Sequence, residues 1–378
     1  MKKFDVAIIG GGLSGSATAF NLSKKGYSIL LIEKEIEQCI KPCAGGMASS
    51  MQKYLPLDIN EVVESKIRNV EFRWKGRDNV VADLTGESPF WIIKREKLDQ
   101  LLIDKALKNG IKLLRPVTVE KIAKENNHWS IACSNQGIYK CEFLVIADGS
   151  QSQWAQYFDL GPRRPKFANT IALRLKGLGD IPKDSARFEF GFVKYGFAWA
   201  FPLKESVNIG VGTFINKSLL NKKEEINKEI IRSFGFKDLS FHPINKKLRI
   251  WNGFHKLNGD KILAVGDAAS LCDPFLAEGI RPSLISSYYA AENIDQCLSK
   301  NIDSLNGYSK QINDEWGRSM AWGRRIAQVF YRFPRTGYQL GVKRKTAPKR
   351  IAQILSGEMS YEDIAKRVIK RLLIIKDN

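Results

Sequence analysis

What is scarce in this chain narrows it first. There are only three histidines, His128, His242 and His255, and they lie far apart in the sequence. Its six cysteines show no framework spacing. A zinc site therefore has little support, and a disulfide-stapled secreted scaffold is excluded in favour of free thiols in a reducing compartment. No apolar run approaches the roughly 20 residues that a spanning helix needs; the longest pieces are strand-like, such as "FLVIA" from Phe143. At the N-terminus, Asp5 and the glycines from Gly10 interrupt any signal-peptide core. The chain is therefore expected in the cytoplasm, or at a membrane as a peripheral protein on that side. There is no internal repeat, low-complexity linker or nucleic-acid recognition motif.

Acidic residues are also short: 40 Asp and Glu stand against 60 Lys and Arg, a net charge of +20. Such a surplus reads as solvated lysines of a lysine-rich proteome, or as a surface for a phosphate-bearing substrate, an acidic protein partner or an anionic membrane. Nucleic acid ranks below these. The 378 residues are 44% hydrophobic and 26% charged, the balance of a packed enzyme-sized chain with two or three structural units.

The first of these units opens as a βαβ motif. A β-rich run from Asp5 to Ile9 leads into "GGGLSG", an Ala-rich helical stretch follows to Lys25, and "YSILLIEK" reads as the second strand. Gly10, Gly12 and Gly15 satisfy G-x-G-x-x-G, which permits a tight turn, close backbone approach to a pyrophosphate and close helix packing. Glu33, ending the second strand, would accept a ribose hydroxyl. Two later apolar strands also end in acid–glycine pairs: Asp148 and Gly149 in "FLVIADGS", Gly266 and Asp267 in "ILAVGDAA".

This order of glycine fingerprint, D-G and G-D resembles the FAD-dependent superfamily of the aromatic hydroxylases. The resemblance implies FAD as cofactor, with Asp267 on its ribityl chain and Asp148 and Gly149 near the pyrophosphate and the nicotinamide path. Arg95, in "IIKREKLDQLL", matches the arginine that opens the helix before the flavin in that family. In "DPFLAEGIRPS", Gly279 reads as a helix start aimed at the flavin, with Pro282 tolerated in the first turn.

Between these segments the pattern changes. "VEFRWKGRDNVVADL" and the span from Ile171 to Phe214 read as strands with glycine turns. The expected class is α/β: a Rossmann-type FAD-binding domain (residues 1–70, 95–165 and 250–305), an interleaved antiparallel-sheet substrate domain (71–94 and 166–249) and a helical C-terminal extension (306–378). In that extension, "YEDIAKRVIKRLLI" puts Tyr361, Ile364, Ala365, Val368, Ile369 and Leu372 on one helix face, to be docked on the protein or laid on a membrane.

Three further stretches resemble one branch, the geranylgeranyl reductase family: "KPCAGG" from Lys41, "GFAWAFP" from Gly196 and "LSGEMSYEDIAKRV" from Leu355. This chain departs from the family pattern at Ala44, Phe197 (tyrosine in the family) and Ala277 (a glycine there). Phe197, Trp199 and Phe201 alternate, so on a strand they share a face, as plain core or as a cavity wall; the flanking glycine and Pro202 read as a strand edge or a cavity wall.

The resemblance implies saturation of isolated C=C bonds in a long-chain isoprenoid on a diphosphate, pigment or lipid. Cys43, Phe197 and Trp199 are then the candidate catalytic residues, and NADPH or ferredoxin, an acidic electron carrier, the donor. The rival readings are a flavin monooxygenase of an apolar substrate, a dithiol oxidoreductase using Cys39 and Cys43, and a flavin-binding protein without catalysis. For Cys43 itself, burial, a dithiol and a substrate-side role are the alternatives.

Overall fold

The computed structural model describes residues 2–36, 43–84, 89–134, 137–214, 223–237, 244–300 and 304–376. Strand Lys3–Ile9 is the hub of the first layer. Its buried Val-Ala-Ile-Ile run pairs in parallel with Ile29–Ile32 on one side and Gly137–Ile146 on the other, and Lys112–Leu114 and Ile262–Ala264 extend the parallel core outward. Near-continuous apolar runs of this kind are what a parallel sheet covered on both faces demands. Helices Leu13–Ser23, Arg95–Lys108 and Ile280–Lys300 pack beside it, the first touching both others. Ile280–Lys300 starts directly after Gly279 and carries Pro282 in its first turn.

The second layer is a seven-stranded sheet in the order Ile244–Ile250, Lys166–Lys176, Ser206–Thr213, Gly196–Pro202, Ser185–Phe190, Asn69–Trp74 and Arg77–Asp83. It is antiparallel except where Ser185–Phe190 runs parallel to Asn69–Trp74. Period-two alternation splits its residues cleanly. Ala198, Ala200, Val207, Ile209 and Val211 pack beneath Ile230, Ile231 and Phe234, from helix Lys223–Ser233 and the turn after it, while Phe197, Trp199 and Phe201 join the main core. The architecture is thus the mixed α/β arrangement expected, with a helical C-terminal region.

Two details differ from the sequence reading. Strand Gly196–Pro202 lies at the middle of its sheet, paired on both sides, and is no edge; Pro202 sits at its last position, where the missing N–H costs the ladder nothing further. Residues 71–94 do not all join the large sheet. Phe90–Ile93 pairs with Gly46–Ala48 and Val63–Ile67 in a separate three-stranded sheet, brought there by Gly45 and Gly46. A Cβ on Gly45 would stand 2.2 Å from the Ile93 carbonyl oxygen, and one on Gly46 2.5 Å from the Phe90 ring.

The C-terminal helices close over the junction of the layers. Tyr361, opening helix Tyr361–Lys376, is buried and donates from its Oη to Asp273 Oδ2 at 2.7 Å; Ala365 is buried too. Ile369, however, is 44% exposed, so the helix docks through its first two turns and the stripe does not stay covered; the side chains of Val368 and Leu372 lie outside the described residues. Tyr361→Phe keeps the ring but removes a donor from a buried carboxylate. It should lower unfolding free energy by about 1–3 kcal/mol in urea titration, without changing the slope of the transition.

Candidate active site

The site forms where the carboxyl ends of the parallel strands meet the aromatic face of the large sheet. At its start, Gly10 turns at φ +103°, and a Cβ there would lie 2.4 Å from the Ala147 carbonyl oxygen; a Cβ on Gly15 would lie 1.8 Å from the Gly10 carbonyl oxygen. These two glycines serve close packing of turn, helix and neighbouring strand. Gly12 has an ordinary φ of −70° and precedes helix Leu13–Ser23, whose first turn has no side-chain cap and no acid. Its N–H groups thus face the cleft, ready for an anion. Glu33 sits beside this turn at the same end of the cleft, its carboxylate accepting from the Gly11 N–H at 2.5 Å and the Glu35 N–H at 2.9 Å.

Two cavities share Gly12, Ala147, Gly149, Thr170 and Lys246 and so form one continuous cleft. One arm holds Gly10, Glu33, Asp148 and Gly149; the other holds Cys43, Arg95, Trp199, Asp267 and Gly279. Gly266 lies buried just behind, at φ +58°, where a Cβ would meet Ser14 Oγ at 1.9 Å. Every sequence-predicted site residue is therefore in or directly behind this cleft. Cys39 is the exception among the cysteines weighed, and with Lys41 and Pro42 it lies outside the described residues.

The cleft has the shape and polar groups that a dinucleotide needs. It runs from an acid suited to a ribose, past an uncapped helix N-terminus, to a second helix start at Ile280. Asp148 Oδ1 is buried and hydrogen-bonded by none of the described residues, and burial pushes this carboxyl above its usual range. Gly149 turns at φ +83° with open space where a Cβ would be. Arg249 lies behind: its guanidinium donates to the carbonyls of Ala268 and Ser152, and burial lowers its pKa against the pull of Asp148 and Asp267. These features suit FAD, with Glu33, Gly12 and Asp267 as the residues that would hold its ribose, pyrophosphate and ribityl parts.

One wall of the far arm is apolar. Phe188, Phe197, Trp199 and Phe201 form a wall, with ring centroids 5.4 to 6.0 Å apart along the contacts Phe201–Phe188–Phe197–Trp199. Trp199 lies over the next strand, where Gly210 makes room; a Cβ there would fall 2.0 Å from the indole. Its Nε1 is buried and without a hydrogen-bond partner among the described residues.

Cys43 is half-buried in the wall. Asn208 donates to its carbonyl and to that of Ala44, both at 3.3 Å, and is itself held by Arg174, which reaches Glu96. Arg95 Nη1 stands 3.9 Å from Cys43 Sγ. Burial works against the Arg95 charge, but Asp99 and Cys43 outweigh it and hold the guanidinium protonated.

Sequence reasoning missed Glu278, although "AEGIR" contains it. Its side chain lines the same cavity, only 10% exposed, and pairs with Arg281 at 2.9 Å. Burial pushes this carboxyl up to about 7, Arg281 pulling the other way and Asp273 adding to the rise. The signal available was an acid and a base three apart at a helix entry, which by itself reads as an ordinary surface pair. Lys246, Thr170 and Phe188 also line the cavity and carried no motif.

Residues 5–77 match the family model of the FAD dependent oxidoreductases. Digeranylgeranylglycerophospholipid reductase 2 of Methanothermobacter thermautotrophicus is 27% identical, over 78% of this chain and 79% of that protein. Among solved structures, a geranylgeranyl bacteriochlorophyll reductase-like protein from Thermoplasma acidophilum superposes with a TM-score of 0.85 at 21% identity, covering 98% of this chain and 99% of that one. A flavin-dependent brominase superposes at 0.75 with 18% identity, over 98% of this chain and all of that one.

Two substitutions test the site's backbone. Gly12→Val has no conformational cost at φ −70°, so it should yield folded protein that purifies without FAD, read from the absorption spectrum against an unchanged melting curve. Ala277 occupies the left-handed region at φ +58°, so it bears strain that a glycine there would not. Ala277→Gly should raise unfolding free energy by about 1 kcal/mol in chemical denaturation.

Proposed function

We propose that the chain, a geranylgeranyl reductase-like FAD-dependent oxidoreductase, saturates isolated C=C bonds in a long prenyl chain carried on a diphosphate, pigment or lipid headgroup. The observation that carries this reading is the aromatic wall: Phe188, Phe197, Trp199 and Phe201 line the same cavity as Gly12, Ala147, Asp267 and Gly279 of the nucleotide cleft. A prenyl chain offers the protein nothing to hydrogen-bond along its length, so a binding tunnel must be apolar and hold it by shape.

The chemistry that FAD supplies when bound and reduced is a hydride; the rest falls to side chains. An isolated alkene accepts hydride poorly unless a proton reaches it toward a tertiary carbocation. The ring faces of the wall stabilise such a cation by roughly 0.5–2 kcal/mol each, and their apolar packing excludes the water that would trap it. Of the protic groups that line the cavity, the Cys43 thiol and the Glu278 carboxyl are the candidate proton donors. Asn208 and Arg95 fix the first, and Arg281, itself anchored on the carbonyls of Ile354 and Leu355, fixes the second. With Phe197 in place of tyrosine, no phenol on this strand supplies the proton. Electrons come from NADPH or from an acidic carrier such as ferredoxin, and reduction by an acidic carrier should slow steeply as salt is raised, because the surplus positive charge steers it.

The test is anaerobic: chemically reduced protein is given geranylgeranyl diphosphate and the product weighed by mass spectrometry. A gain of two hydrogens per double bond is expected; oxygen incorporation in air without such a gain would overturn the reading. Cys43→Ala should bind FAD and accept electrons normally, yet reduce the prenyl chain slowly or leave a different number of double bonds. Trp199→Phe should keep most activity, whereas Trp199→Ala should lose turnover more than FAD affinity. If Glu278 delivers the proton, turnover falls as pH rises through about 7, where its carboxyl ionises, and Glu278→Gln abolishes that limb of the profile.

A further inference from the structure

The C-terminal helices carry a surface that the catalytic reading does not use. Residues 318–357 contain ten Lys and Arg and no Asp or Glu, and lie within the longest acid-free run of the chain. Helix Arg318–Arg332 turns Phe330 and Tyr331 inward: Tyr331 stacks on Phe214 at 4.8 Å, and Phe330 packs on Phe190 and Phe275 at 5.3 Å. Helix Pro334–Gly341 then folds against Phe330 through Gly337, where a Cβ would stand 2.8 Å from the ring. That packing decides what is left outside. Val329, Phe333 and Leu340 are 66%, 59% and 53% exposed, with Arg325, Arg332, Arg335, Arg344 and Lys345 exposed around them.

From this juxtaposition we infer that the outer face of helices Arg318–Arg332 and Pro334–Gly341 is a docking surface for an anionic lipid bilayer. The charge supplies attraction to acidic headgroups, and the three apolar tips supply insertion below them; together these are the two signals that reversible interfacial binding requires. A nucleic acid would use the charge but gains nothing from exposed Val329 and Leu340, which offer neither a stacking face nor a hydrogen bond. Among the described residues, Lys343 pairs with Asp78 and Arg318 with Asp314 on this face, and two acids do not neutralise it.

The same elements also touch the cavity. Leu355, from the following helix Ala347–Ser356, lines it directly, and Phe214, beneath Tyr331, stacks on Phe197 of the aromatic wall. A membrane-borne chain would thus meet the protein on the side that leads to its aromatic wall; this point alone rests on the prenyl reductase reading, whereas the charge and exposure do not.

The experiment is flotation of the full FAD-loaded protein with phosphatidylcholine vesicles, with and without about 30 mol% phosphatidylglycerol. Binding to the anionic vesicles, none to the neutral ones, and release as salt is raised are expected. The pair Phe333→Asp and Leu340→Asp should weaken binding roughly tenfold or more with an unchanged melting curve, and the pair Arg332→Glu and Arg335→Glu should do the same. Failure of the wild-type protein to float, or variants that float like it, would overturn the inference; so would retention on DNA or on an acidic protein without vesicle binding. Because flotation needs no turnover, its failure leaves the reductase reading untouched, and a negative product assay leaves the docking surface untouched.

Discussion

The contact on which the site depends is backbone against backbone: the Gly10 turn on the Ala147 carbonyl. Parallel pairing of Lys3–Ile9 with Gly137–Ile146 sets Ile9 opposite Ile146, so both strands end at the same height and the chain must turn away from a carbonyl less than a side chain distant. Glycine at position 10 is the only residue that tolerates both the positive φ and the missing space. Once that register is set, Gly12 and the helix start stand beside Asp148 and Gly149, residues more than a hundred positions away. The cleft follows from it.

A second constraint joins this cleft to the apolar cavity. The loop from Asp273 to Arg281 runs between the parallel sheet and the C-terminal helices, and its turn is held from within: Asp273 Oδ1 accepts from the N–H groups of Phe275 and Leu276, while Oδ2 accepts from Tyr361. Burial raises this carboxyl's pKa even so. A network of this kind is worth its desolvation only when every member is satisfied. Its effect is to present Ala277, Glu278 and Gly279 to the cavity on a rigid arc, with the Tyr331 hydroxyl donating to the Phe275 carbonyl behind it. The helical extension is thereby structural support for the site as well as an outer surface.

The dinucleotide half of the molecule was readable because its signals are local. The glycine triplet, the strand-ending acids and the helix entry at Gly279 each reflect backbone demands made within a few residues, and period-two alternation put Phe197, Trp199 and Phe201 on one face wherever their strand lay. Which neighbours that strand would have was not local. Gly196–Pro202 reads as an edge or a cavity wall from its terminal glycine and proline; it lines the cavity but pairs on both sides, and Gly210 on Ser206–Thr213 clears the space the Trp199 indole needs.

By itself, then, the sequence determined the fold class, the cofactor cleft and the aromatic stripe, since each follows from residue spacing and from conformations only certain residues adopt. The tertiary structure decided the rest. Glu278 became a cavity acid with a raised pKa only through burial beside Arg281 and Asp273, and Cys43 faces that cavity through Asn208, a residue 165 positions away. The stripe on Tyr361–Lys376 divided into a docked start and an exposed Ile369 because Tyr361 had a buried carboxylate to reach. Desolvation and long-range pairing depend on what surrounds a residue in space, and spacing along the chain does not encode that.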